Sequence, residues 1–371
     1  MHVHIAMAWT QALFRQFLDE GRPGLDERII NGKGWRYYQT LEHHHQMYES
    51  LRPAVKPEDL KLVTREFLEW IAKNDGAVYA EVQNSYRADP IAFESQIDAI
   101  SEGIAEARTS TGIEARINVS CLRDHGGKNA EEAARFLVDY KRRHPDTFVT
   151  SLSTVGSERP EHGSLLGFRN AFNITWNEAG MGLNPHVAEQ YVVNAVDFFG
   201  AIPAEALATP EAEDGRRLRA GHATLIHMSS ELMQRFRDHG ICIESCPSSN
   251  KRLGLPDHTM RHVVGDIVTG HNGQDSVTLN HHLSMYFNNI VKHPLARFRR
   301  YGIPVCLGSD NPFLDNTSIG KEYSMAVLAG IPQDERALLQ FTRDGIRYAN
   351  IDNNTRAELM AKLDTYEAAL G

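Results

Sequence analysis

The chain has 371 residues, 42% hydrophobic and 23% charged, a balance that suits a soluble globular protein with a sizeable core and excludes a disordered one. A formal net charge of −9 argues against a nucleic-acid backbone as the main partner, since that would need a dense positive surface. No run reaches the roughly 18 uninterrupted apolar residues of a membrane span, and the N-terminus has no signal-peptide pattern, so a cytoplasmic protein without a membrane partner is expected. Cys121, Cys242, Cys246 and Cys306 sit in or at the ends of apolar runs, lack the close pairing of a zinc knuckle and read as reduced core residues.

Met1-His2-Val3-His4-Ile5-Ala6 opens the chain with two histidines flanking one valine. In a strand, side chains at i and i+2 share a face, so the two imidazoles converge as metal ligands would. Almost nothing precedes them, which implies a very short first strand or an N-terminal extension in the native chain. From Ala8 to about Asn74 the pattern is largely helical, broken near Gly21-Arg22-Pro23-Gly24 and at Pro53. His43-His44-His45 falls here, and consecutive helical residues fan around the axis, so it reads as a solvated or packing feature.

A rhythm of short apolar run, turn and amphipathic helix follows. The runs are 77–82, 115–122, 148–155, 171–178, 218–222, 241–247 and 303–308, which with the opening strand make eight. Helical spacing is clearest over 130–143, 186–199, 229–239 and 293–301. Strands alternating with helices pair in parallel, and eight such units predict an α/β fold, a (β/α)8 barrel spanning 1–371 as one domain. An open doubly wound sheet of the dinucleotide-binding kind would want a Gly-rich turn after the first strand, and none is present. Two departures from an ideal barrel are the long helical region after the first strand and the span from Lys251 to Lys292.

In such a barrel the site forms where strands end. His2 and His4 leave the first strand, Glu178 the fifth, His222 the sixth and Asp310 the eighth. Asp310, in Gly308-Ser309-Asp310-Asn311-Pro312, exits a strand apolar enough to be buried on both faces, so its charge must be paired or metal-bound. Two imidazoles and a carboxylate suit zinc or another divalent ion, with His222 to hold water and Glu178 to shuttle a proton.

His2-Val3-His4, Arg219-Ala220-Gly221-His222-Ala223, Cys246-Pro247-Ser248-Ser249-Asn250, His293-Pro294-Leu295 and Gly308-Ser309-Asp310-Asn311-Pro312 together resemble the ordered motifs of the adenosine/AMP deaminases, metal-dependent (β/α)8 hydrolases. The resemblance implies hydrolytic deamination of an adenine nucleoside or nucleotide at C6, with release of ammonia. It implies His2, His4 and Asp310 as ligands of a divalent metal, Zn2+ foremost, and His222 as the residue that orients the attacking water. Gly156 would supply a backbone contact to the purine, and Asn311 would stand where the family has a second carboxylate and meet purine N7. The expected partner is a small purine, and self-association into a homo-oligomer is left open.

Further positions depart from the family pattern. Its fifth strand carries a His-x-Gly-Glu motif; an ungapped alignment to Thr175-Trp176-Asn177-Glu178 places Glu178 on the catalytic acid and Thr175 where a metal-binding histidine belongs. Ala6 replaces the Asp with which adenosine-specific members meet the ribose 5′-hydroxyl, which together with Glu322-Tyr323 points to the nucleotide-acting branch. Lys33, Arg36, Lys251 and Arg252 are the candidate cations for a phosphate. The missing histidine keeps a second reading open, a degenerate barrel that binds a purine or a partner without turnover.

Overall fold

The computed structural model describes residues 2–26, 41–158, 163–253 and 290–370. Two parallel sheets make up its centre. In the first, β1 (Val3–His4), β2 (Tyr79–Tyr86), β3 (Glu114–Leu122), β4 (Val149–Val155) and β5 (Gly182–Leu183) lie side by side in sequence order. In the second, β6 (His186–Val187), β7 (Arg219–His222), β8 (Cys242–Ser245) and β9 (Val305–Leu307) do the same. A parallel bridge from Val3 to Asp310 joins β1 to the exit of β9, and another from Leu183 to Leu218 joins β5 to the start of β7. The two sheets therefore form one ring.

β5 and β6 are halves of a single strand. Asn184 still donates to Leu152 in β4 at 3.0 Å, while the Pro185 carbonyl accepts from Gly221 in β7 at 2.8 Å. Leu183 already donates to the Arg217 carbonyl on the β7 side at 3.0 Å, and proline has no N–H to continue that ladder, so the strand is only interrupted there. Counted as one, these halves bring the ring to eight parallel strands, the (β/α)8 barrel expected from the sequence.

The fifth strand is not where the apolar run 171–178 suggested. Leu165, Phe168, Ala171, Phe172 and Trp176 are buried at helical spacing, and the chain forms a short helix at Arg169–Asn173 continued by a π-helical turn at Ile174–Glu178. The helix expected over 186–199 begins only at Val193, because His186 and Val187 are strand. The other helices lie close to expectation, at Gly126–Arg143, Ser230–Asp238 and Leu295–Tyr301. The four cysteines are buried and free. Among the described residues no helix is long and apolar enough to cross a membrane. Lys33, Arg36, the side chain of Arg252 and most of the 251–292 span lie outside the described residues; Lys251 is exposed.

The barrel interior is polar below the site. Arg219, fully buried, donates to Glu81 and, at 2.6 Å, to both Glu244 and the Tyr348 carbonyl. Asn118 donates to Glu81 at 2.9 Å, and the Asn350 backbone N–H donates to its other oxygen at 3.1 Å. Buried charges are tolerated when every partner is in place, as here.

Candidate metal and active site

His2 and His4 reach the C-terminal mouth of the barrel from β1, and Asp310 reaches it from just past β9. The structure brings the three together: His4 Nε2 lies 3.2 Å and His2 Nε2 3.9 Å from Asp310 Oδ1. A further imidazole joins them. His186, the first residue of β6, has its ring centroid 4.5 Å from His2 and 5.6 Å from His4, and nitrogens of all three rings lie within 4.8 Å of one another. Two glycines admit this crowding. A Cβ on Gly221 would stand 3.1 Å from His2 Cε1 and 3.3 Å from His186 Nδ1, and one on Gly308 would meet His2 Cβ at 2.5 Å.

The His2 imidazole is aimed by its surroundings. His2 Nδ1 is held 2.8 Å from Glu244 Oε2, which turns Nε2 toward the cluster, where it has no hydrogen-bond partner although fully buried. His186 Nδ1 is likewise buried without one. Orphaned imidazole nitrogens beside an ionised carboxylate fit a divalent cation, which would satisfy them all. Cys246 shares a second donor set with His2 and His222, but that set holds no carboxylate. The four donors that suit the ion are His2, His4, His186 and Asp310.

Asp310 is fixed from outside by Ser249, whose hydroxyl donates at 2.6 Å, and by the Asn311 amide at 2.8 Å. Burial acts to raise its pKa, yet the His4 contact and the surrounding imidazoles hold it well below the usual carboxylate range. His222, at the end of β7, is held near 3 by burial, against the opposing pull of Asp310, and stays neutral. Asn250 donates to His222 Nδ1 at 3.2 Å and faces His293 Nε2 at 3.4 Å. With the amide assigned this way, His222 carries its proton on Nε2 and presents a donor to the cavity.

Opposite His222 stands a carboxylate that reading the sequence missed. Glu189 Oε1 is 3.7 Å from His222 Nε2. Burial raises the Glu189 pKa well above the ordinary range, and Asp310 and Glu158 add to the effect. Glu178 is not part of this arrangement. It sits exposed at the end of the π-helical turn, outside the cavity lining, because the run that was to carry it to a strand end is helical. Thr175 lies in that same turn, so no ligand position is missing there.

The residues His186-Val187-Ala188-Glu189 spell the His-x-Gly-Glu pattern with alanine in place of glycine. Ala188 has φ 46°, the left-handed region that glycine takes without strain. His222 at 57°, Ala223 at 48° and Asp310 at 55° are also left-handed, so backbone strain gathers around the site.

The cavity is lined by Ser85, Asp124, Gly156, Glu189, His222 and Asn311, and its outer wall by His44, Tyr48, Glu49 and Arg87. Gly156 has φ 95° and a Cβ there would approach Asp124 Oδ2 at 3.5 Å, so its backbone borders the space directly. Within the histidine triplet, His44 is buried beside Asn311, the packing one of the two alternatives. Glu322 and Tyr323 do not line the cavity; Glu322 accepts from the Ser248 N–H at 2.9 Å, and the Tyr323 hydroxyl pairs with Thr342 at 2.6 Å.

The model of the family described as adenosine deaminase matches residues 33–269 and 277–366. The chain belongs to the adenosine deaminase family. It is 28% identical over 369 residues to an adenine deaminase of Chelativorans sp. (strain BNC1), covering 98% of this chain and 96% of that one. In fold it is similar to an adenine deaminase from Arthrobacter aurescens, at 17% identity and a TM-score of 0.71, with 99% of this chain and 98% of that one covered. An amidohydrolase from Burkholderia ambifaria crystallised with bound Zn matches at 18% identity and a TM-score of 0.69, with 100% and 91% covered.

Proposed function

We propose that this chain hydrolyses the C6 amino group of an adenine ring, releasing ammonia, and that the ring arrives as the free base. The observation that carries the reaction is Glu189, a buried carboxyl that keeps its proton and faces the imidazole cluster across the cavity. Three neutral imidazoles and a carboxylate are the donors zinc prefers, and His2, His4, His186 and Asp310 would hold it. Bound there, the ion supplies Lewis acidity that makes water nucleophilic near neutral pH.

The protein's own groups do the rest. Glu189 donates its proton to ring nitrogen N1, which draws electrons from C6. His222, donating from Nε2, fixes the attacking oxygen over that carbon. One proton of the water restores Glu189 and the other leaves with the amino group as ammonia, so hypoxanthine departs and the carboxyl is ready again.

Asn311 supports the free base. Its amide nitrogen must face the Asp310 carboxylate, which can only accept, so its Oδ1 is left as an acceptor, buried and without a hydrogen-bond partner. Free adenine has a ring proton that N7 can carry, whereas a nucleoside is substituted at N9 and offers only a lone pair at N7. Arg87, the one cation lining the cavity among the described residues, is occupied by Glu49 at 3.3 Å, and Asp124 adds a further negative charge. A 5′-phosphate is poorly served by that wall. Ala6, which lacks the carboxylate for a ribose hydroxyl, agrees with a substrate that has no ribose.

Ammonia release from adenine, adenosine and adenosine 5′-phosphate by zinc-loaded protein tests this. Adenine is expected to have the highest kcat/KM, and Asn311→Leu, which removes the acceptor, to lower it by at least about tenfold. Equal rates on base and nucleoside would remove the free-base reading; no ammonia from any of the three would remove deamination.

A further inference from the structure

We propose that Glu158 and Arg123 are positioning residues, a clamp that holds both ends of the turn carrying His186 and Glu189. The inference rests on the reading of those two as ligand and acid. Arg123, just past β3, and Glu158, just past β4, are both fully buried, and neither lines the cavity. Arg123 donates through Nη2 to the His186 carbonyl and through Nη1 to Asn194 Oδ1 at 2.7 Å and the Gly163 carbonyl at 2.5 Å. Glu158 Oε2 accepts the backbone N–H groups of Gln190 at 2.9 Å and Tyr191 at 3.0 Å. Its other oxygen is 3.6 Å from Arg123 Nη2, and Asn194 closes the loop by donating to the Glu158 carbonyl at 3.2 Å.

The grips fall on either side of the strained residue. Arg123 holds the carbonyl two residues before Ala188 in the chain, and Glu158 holds the amides two and three residues after it. An alanine at φ 46° favours relaxation toward ordinary backbone, and relaxation there would swing Glu189 off the line to His222. Fixing the peptide groups on both sides prevents it. A fully buried Arg–Glu pair is a weak source of stability, since its desolvation offsets most of its attraction. Orientation of the turn is what this pair supplies, because Glu158 holds two backbone amides of the turn and Arg123 holds the His186 carbonyl.

The test uses full-length, zinc-loaded protein and the variants Glu158→Ala and Glu158→Gln, with three readouts: hydrogen exchange of the 186–191 amides, zinc affinity, and kcat against KM for adenine. In Glu158→Ala the amides of Gln190 and Tyr191 should exchange at least about tenfold faster, zinc affinity should fall about tenfold or more and kcat by up to about 100-fold, with KM little changed. Glu158→Gln keeps a carbonyl oxygen for both amides and should recover most of the loss. A Glu158→Ala protein that melts earlier but keeps its exchange rates, zinc affinity and kcat would overturn the clamp. Should that variant not fold, Glu158→Asp, one methylene shorter, decides in the same way: native exchange and kcat would overturn it. Were the wild type to release no ammonia, the proposed reaction would fail, while exchange and zinc affinity would still judge the clamp.

Discussion

His2 Nδ1 and Glu244 Oε2 lie 2.8 Å apart, both fully buried, and this pair ties the metal-facing imidazole to the charged network inside the barrel. Burial works against ionisation of Glu244, but Arg219 beside it brings its pKa to about 2, so the carboxylate is charged at any working pH. It therefore fixes the proton of His2 on Nδ1 and leaves Nε2 as a ligand. Glu244→Gln removes that charge while keeping the volume. Zinc affinity, measured by competition with a chelator, is expected to fall about 10- to 100-fold.

Ala188 offers a separate test of strain. Glycine at that position takes φ 46° freely, so Ala188→Gly is expected to raise thermal stability by about 1 kcal/mol, less the entropy of the more flexible unfolded chain. Denaturant unfolding with zinc held constant reads it out.

Glu322 predicts a pH dependence. Burial lifts its pKa to about 7, against the hydrogen bonds from Ser248 and Thr317. A carboxyl whose folded pKa is raised holds its proton better in the folded state. Its contribution is complete below the unfolded value near 4.5 and is lost as pH rises toward 7. Glu322→Gln should therefore flatten the stability profile between those values and gain at pH 8, relative to its own value at pH 4, on the order of 3 kcal/mol over the wild type. Chemical denaturation across that range checks it, and parallel profiles would contradict it.

Much of the barrel and half of the site were legible before the structure. His2, His4, His222 and Asp310 sit in or at the ends of runs that read as strand, and strand ends converge in this fold. The fifth strand was hidden for a physical reason: Gly182-Leu183-Asn184-Pro185-His186 has no β-branched residue and contains a proline, while the apolar run before it packs as a helix. Alanine at 188 then masked the motif, since the glycine it replaces is the residue one looks for at a left-handed turn. A His three residues ahead of a Glu, just beyond Asn184-Pro185, was the signal available. Glu244 drew no attention because it lies inside an apolar run, and only the fold shows that it faces the barrel interior toward Arg219 and His2.

Glu189, and not Glu178, is the proposed acid. Ammonia release from adenine by zinc-loaded Glu189→Gln and Glu178→Gln proteins, with metal content measured on both, tests it most directly. Glu189→Gln is expected to lose at least about 100-fold in kcat with its zinc retained, and Glu178→Gln to stay close to the wild type. Near-normal turnover in Glu189→Gln, or loss of turnover confined to Glu178→Gln, would contradict it.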